Sequence, residues 1–317
     1  MSEQSALLRA IRDDPPDDGV RLVYADWLDE NDQPDRAAFI RAQIHGDRER
    51  AAALLERFGE AFLADVPEWA RERAVFERGF VAEVRIDGRH WAASAADLVR
   101  TIPLERLRLW NLDRQLNKLA DRAELRRLRL LDLSMNGVAR IGAENLARCP
   151  HLSRLEYLDL SNNNLRDEGV AALSVAGHLG ALHTLDIAYN SVIGAVPRLV
   201  TSPALPNLRR LRLGGNFLGD RGAIDLARTP QLTRLETLDL SGSGLRERGA
   251  EALASSAFVT GLRELDLSRN SIRDAGAIAL ARSRHLAGLE ALTLWDCDIE
   301  NAGTAALRGR FGDRVLL

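Results

Sequence analysis

Six histidines, two cysteines and one lysine are the side chains with which this 317-residue chain would build metal, nucleophilic or Schiff-base chemistry. His45, His90, His151, His178, His183 and His285 form no HExxH and no paired ligand spacing. His151 and His178 stand 27 residues apart, which would stack them on successive repeats, but no carboxylate accompanies them and two imidazoles alone fall short of a metal site. Cys149 and Cys297 lie in no CxxC or Cys/His pattern, so neither a disulfide framework nor a zinc site is expected. Lys118, the only lysine among 43 basic residues, leaves lysine chemistry a single candidate. Gly214-Gly-Asn-Phe-Leu-Gly219 has the glycines of a phosphate loop without its Gly-Lys-Ser/Thr ending, and no GxSxG occurs. The expectation is a chain that is not an enzyme and needs no metal or cofactor.

Leucine spacing defines the elements that position everything else. Leu128-xx-Leu131-x-Leu133-xx-Asn136 recurs with its final residue at Asn163, Asn190, Asn216, Ser243, Asn270 and Cys297, advancing by 27 residues with a single step of 26. The second and third leucines of a unit are two apart and share one face of a short strand. The Asn just past the strand bonds backbone groups where the chain turns, a structural ladder of Asn136, Asn163, Asn190, Asn216 and Asn270, with Cys297 as a weaker donor in the last unit. Downstream, Asp167, Asp220, Asp274 and Asn301 read as N-caps of the helices they begin. Pro197 predicts a broken or shortened helix in its unit, and Arg314-Val-Leu-Leu317 a short closing edge strand. Strand–turn–helix units of this length stack into an α/β solenoid. Helices are wider than the strand spacing, so the stack curves with the parallel sheet inside and helices outside, right-handed by crossover sterics.

Composition agrees with that architecture. Hydrophobic residues at 46% and charged residues at 28% exclude wholesale disorder, and aromatics at 5% require a mainly aliphatic core. A net charge of −3 removes any whole-chain electrostatic footprint for nucleic acid. The opening MSEQSALLRAIRDD lacks the basic and apolar regions of a signal peptide, and no run approaches about 18 apolar residues. No membrane association and a cytoplasmic location are therefore expected.

The in-register LxxLxLxxN/C signature resembles the leucine-rich repeat family, and its long-repeat, ribonuclease-inhibitor-like class in particular, over residues 104–317. The resemblance implies a solenoid that binds proteins. Leu104, Leu107 and Leu109 open a departing unit, 24 residues long, with Leu112 in the Asn slot. Residues 1–66 lose the period and read as helices, with apolar stripes at Leu7, Leu8, Ile11 and at Val20, Val23, Tyr24, Trp27, Leu28. Tyr24-Ala-Asp-Trp-Leu-Asp-Glu30, followed by Arg36 to Gln43, is similar to the small repeat-companion domain at the front of bacterial repeat proteins. That resemblance implies association with repeat arrays and no assigned chemistry. Three segments are expected: a helical cap over 1–66, a junction over 67–103 whose strand Arg78–Ile86 pairs with the first repeat strand, and the solenoid over 104–317.

What varies is the strand face turned away from the core. The fifth position of each unit reads Arg108, Asp132, Asp159, Asp186, Arg212, Asp239, Asp266, Thr293, an acidic strip roughly 30 Å long at strand spacing. The third position brings Leu130 beside Tyr157, with Arg210 further along, and the seventh has Trp110 and Trp295 near its two ends. An apolar pair beside carboxylates has the composition of an anchor patch for a protein with a basic segment. The aspartates also read as repeat consensus bonded to neighbouring hydroxyls. A binding face of Leu130, Tyr157, Asp132, Asp159, Asp186, Arg210, Arg212 and Trp295 is expected. The rival is an enzyme with a cryptic site in the helix of Tyr24–Glu30 and its neighbours Arg36 and Arg41.

Overall fold

The computed structural model describes residues 2–112 and 122–317. The chain divides into two compact units, one of residues 2–112 and 123–131, the other principally of 132–317.

In the amino-terminal unit, small polar residues start the helices. Ser2 accepts from the Ser5 amide at the start of α1 (Glu3–Asp13), Asp17 from Gly19 in α2 (Asp18–Glu30), and Asp47 from Arg50 in α4 (Arg48–Phe62). Pro34 opens α3 (Pro34–Ile44), where the missing amide costs nothing. These helices bury Ile11, Tyr24, Leu28, Phe39 and Ile40, and Phe80 joins them from the following hairpin. That hairpin pairs β1 (Val75–Glu77) antiparallel with β2 (Phe80–Asp87). Gly79, at φ +83°, makes the turn, and a Cβ there would overlap Ile40. After α5 (Gly88–Thr101), β3 (Arg106–Trp110) lies parallel to β2, so the expected junction strand does meet the first repeat strand. The antiparallel β1 is an addition that the alternation at 78–86 did not reveal.

The second unit is an α/β solenoid. After β4 (Leu130–Asp132), the strands β5 (Tyr157–Asp159), β6 (Thr184–Asp186), β7 (Arg210–Arg212), β8 (Thr237–Asp239), β9 (Glu264–Asp266), β10 (Ala291–Thr293) and β11 (Val315–Leu316) follow. From β5 onward each is parallel to the next, with Leu158, Leu185, Leu211, Leu238, Leu265 and Leu292 in one register row. All six leucines are buried, each side chain contributing roughly 1.5–3 kcal/mol. Helices α6 (Ala139–Ala147), α7 (Arg166–Leu173), α8 (Val196–Val200), α9 (Gly219–Ala227), α10 (Glu247–Ser255), α11 (Arg273–Arg282) and α12 (Asn301–Phe311) alternate with the strands. The Pro197 helix, α8, is the shortest of them, as its proline predicts.

Polar side chains tie neighbouring repeats together at fixed offsets. Asn190 is fully buried: its Oδ1 accepts from the amides of Asn163 (3.1 Å) and Leu165 (3.0 Å), and its Nδ2 donates to the carbonyls of Leu160 and Ala188. Asn163 and Asn216 repeat the pattern. At the Ser243 slot the hydroxyl reaches only the Leu213 and Ser241 carbonyls, and Cys297 Sγ donates to Leu267 at 3.1 Å.

The aspartates read as N-caps act one repeat further on. Asp167 accepts from the amides of Ile193, Gly194 and Ala195 before α8, Asp220 from Arg246 and Gly249 at the start of α10, and Asp274 from Glu300 and Gly303 at the start of α12. Each lies inside the first turn of its own helix, past the cap position, so its carboxylate is available to the open amides of the next. A further column went unread in the sequence. Ser202, Ser256 and Ser283, on the same 27-residue period, donate to the carbonyls of Ser174, Ala227 and Ala254 one repeat back.

Candidate protein-binding face

Short strands with buried leucines turn their alternate residues outward, and these form the face. Its carboxylates are partly committed. Oδ1 of Asp132, Asp159, Asp186, Asp239 and Asp266 accepts the amide two residues on, from Ser134, Ser161, Ala188, Ser241 and Ser268, at 2.8–3.0 Å. Asp132 and Asp186 are buried and Asp159 is half-buried. Burial pushes the carboxyls of Asp159 and Asp186 above the usual range, opposed by the amides of Ser161 and Ala188, and each also feels a neighbouring aspartate in the strip.

Arg212 interrupts this strip. Its Nη1 lies 3.6 Å from Asp186 Oδ2 and donates to the Tyr157 hydroxyl at 3.4 Å. Tyr157 is half-buried, and desolvation followed by the nearby Asp159 charge raises its hydroxyl pKa. Tyr157, Asp186 and Arg212 are therefore brought together, while Arg210 stands exposed on the same strand as Arg212. Leu130 is half-buried and belongs to the amino-terminal unit, as does Trp110, whereas Tyr157 belongs to the repeats. Trp295, after β10, is 59% exposed.

Three further exposed apolar residues in the repeat unit lie where the strands turn toward the helices: Met135 (77%), Tyr189 (52%) and Phe217 (67%). Met135 and Tyr189 occupy the eighth position of the repeat, which lies in the left-handed region throughout: Met135 +59°, Asn162 +57°, Tyr189 +53°, Gly215 +68°, Gly242 +56°, Arg269 +57°, Asp296 +56°. Asn and Gly adopt that region readily; a methionine and a tyrosine do so at a cost. The Tyr189 ring lies against Gly215, where a Cβ would overlap it. The sequence signal is weak, since only Asn162, Gly215 and Gly242 of the seven residues in this column are Asn or Gly.

The remaining singled-out residues have structural surroundings. Cys149 and Cys297 form no disulfide and are buried, and burial pushes the Cys297 thiol up to about 11, so it is not a reactive thiolate at neutral pH. His178 Nε2 lies 3.1 Å from the Leu146 carbonyl oxygen. The Gly214–Gly219 segment carries the Asn216 turn. Among the described residues no group of three or more His, Cys, Asp or Glu side chains is arranged to hold a metal ion. Lys118 lies outside the described residues. In the amino-terminal unit, Asp26 and Asp29 of α2 both bridge Arg41 of α3, at 2.6 and 2.7 Å.

Residues 151–174, 204–227, 231–254 and 261–281 match the family model described as leucine rich repeat. These segments are leucine-rich repeats. Among solved structures, the crystal structure of the mouse RP105/MD-1 complex contains a chain similar to this one at 19% identity and a TM-score of 0.46, over 74% of this chain and 38% of that one. This chain thus spans well under half the length of that relative. Comparison with curated proteins finds no match.

Proposed function

We propose that the chain is a non-catalytic protein-binding module, an inhibitor, scaffold or sensor subunit, that holds another protein on the strand face of its leucine-rich repeats. The observation that carries the reading is the cluster of Tyr157, Asp186 and Arg212 within the strip of Asp132, Asp159, Asp239 and Asp266. A half-buried aromatic ring beside partly desolvated carboxylates is suited to anchor one side chain while drawing in a basic segment. Trp295 and the turn residues Met135, Tyr189 and Phe217 add apolar area at the rim of the same unit. Nucleic acid is disfavoured because the strip is acidic. Among the described residues no helix is long and apolar enough to cross a membrane.

Against the enzyme reading, two of the three carboxylates of the Tyr24–Glu30 motif, Asp26 and Asp29, are held by Arg41, which supports a helix-joining role. We place the module in the cytoplasm, on the grounds that Cys149 and Cys297 form no disulfide. The repeat-companion resemblance of the helical segment supports a bacterial origin. Affinity capture with the intact protein and with Tyr157→Ala, read by mass spectrometry, tests the reading. A partner retained by the parent and lost by a variant of unchanged melting temperature is expected. Equal capture by both moves the site off the strand face.

A further inference from the structure

The amino-terminal unit contains two arginines treated in opposite ways, Arg21 buried and Arg36 half-buried. Arg21 donates from Nε and Nη2 to the Pro15 carbonyl and from Nη1 to the Arg78 carbonyl, so its burial is compensated. Arg36 has no such partners. Its guanidinium carbon lies 4.7 Å from the centre of the Phe62 ring, 5.4 Å from Phe80 and 5.6 Å from both Phe39 and Phe76. Its Nη1 is fully buried, and among the described residues it donates to nothing. Desolvation lowers the Arg36 pKa to about 10, with Tyr24 and Asp65 opposing, so the group is still a cation at neutral pH. The four rings offer it their π-faces but no hydrogen-bond acceptor in the plane of the fork. Withdrawing part of a cation from water without an acceptor is costly, and leaving a buried donor empty is rare.

Arg36 also lines a cavity of about 280 Å³ within the same unit. Its walls include Leu8, Phe58, Phe62 and Val66, with Gln4 and Thr101 as polar groups. Asp32, Asp35 and Asp65 line it as well, and all three are exposed, so the cavity has a negative rim over a cationic wall. That combination is selective. A phosphate ester would carry two charges past three carboxylates, whereas a single carboxylate on an apolar body meets the guanidinium with less repulsion and fills the aromatic wall.

We propose that this cavity binds a small organic monocarboxylate with an apolar body, its carboxylate pairing with the Arg36 guanidinium that lines the wall. The cavity belongs to the amino-terminal unit, and the proposal does not rest on the strand-face reading of the repeats. Apolar walls with a small number of convergent polar and charged groups are the usual form of a small-ligand site, and this volume is at the small end of such sites.

Calorimetric titration of the full chain with 3-phenylpropionate, 3-phenylpropionamide and inorganic phosphate tests the proposal. The acid is expected to bind at least tenfold more tightly than its neutral amide, and phosphate not to bind. Arg36→Met should erase the tenfold preference. Ala61→Trp, at an exposed position of α4 lining the cavity, should abolish binding of the acid without changing the melting temperature of the free protein. If Arg36→Met fails to fold, the acid–amide pair and Ala61→Trp decide alone. No heat with the acid at millimolar concentration, equal binding of acid and amide, phosphate binding as tightly as the acid, or unchanged binding by Ala61→Trp would overturn it.

Discussion

The repeats and the amino-terminal unit solve the problem of buried polar groups differently. In the repeats, Asn163, Asn190, Asn216 and Asn270 are each engaged on both ends of the amide, and Asn190 alone takes part in four hydrogen bonds to backbone groups. In the amino-terminal unit, Arg21 is satisfied by carbonyls while Arg36 is packed among phenyl rings with a donor unused. A periodic structure repeats a satisfied solution and leaves function to whatever varies on its surface. An aperiodic one can surround one guanidinium with rings that no period brings together, as at Arg36. The two proposals accordingly assign surface recognition and pocket recognition to different parts of one chain.

Several changes would break or sharpen this contrast. The largest effect is expected from deleting residues 1–66, which strips the helices from β1 and β2 and uncovers Phe76, Phe80 and Val81; the truncated protein should self-associate in sedimentation, and a monodisperse product would refute the packing described. Asn190→Leu follows, at a cost of about 3 kcal/mol in denaturant unfolding, because two buried amides lose their acceptor. An unchanged midpoint would show the ladder to be dispensable.

On the binding face, Tyr157→Ala should weaken a captured partner by about 2 kcal/mol through faster dissociation, with little change in melting. Ser243→Asn tests the ladder in the opposite direction. Asn at this slot supplies the acceptor that the serine does not offer to the preceding turn, and stability should rise by about 1 kcal/mol.

The smallest effect is expected from Asp159→Asn with Asp186→Asn. Asparagine keeps the acceptor for the Ser161 and Ala188 amides, so the turns survive. The folded-state pKa values of both aspartates are raised, so their favourable contribution is complete below the ordinary carboxylate range and is lost as pH rises through the raised values. The double variant should therefore melt slightly higher than the parent at pH 7 and lose that advantage in acid. The same variant should associate more slowly with a basic partner, with a flatter salt dependence. A drop in melting at pH 7 would show the charges themselves to be structural.

Much of the architecture was legible because repeated contacts have a constant offset in the chain. Leu158, Leu185 and Leu211 share a register row because their spacing repeats with the strands, and Asn163 meets the turn of the repeat before it for the same reason. The left-handed eighth position was less legible, because Met135, Tyr189, Arg269 and Asp296 share it with Asn162, Gly215 and Gly242. Period alone did not say which helix each aspartate serves. Asp167 and Asp220 carry the residue type of a cap, but only the stacking of one helix start against the next selects the amides they hold.

The acidic strip illustrates the same division. Its placement on strands follows from alternation, since a residue between two buried leucines must face away from them. Its partial neutralisation by amides two residues on, and by Arg212 at Asp186, depends on turn geometry and side-chain reach that spacing does not contain.

The sequence by itself determined the repeat period, the aliphatic core and the identity of the ladder, because each is a local rule applied again and again. The tertiary structure alone decided the environment of Arg36. Phe39, Phe62, Phe76 and Phe80 have no common spacing, and only the packing of α3, α4 and the β1–β2 hairpin brings their rings around one guanidinium. Whether that guanidinium finds an acceptor depends on every backbone carbonyl within reach, and those distances are set by how helices and hairpin pack, not by any period along the chain.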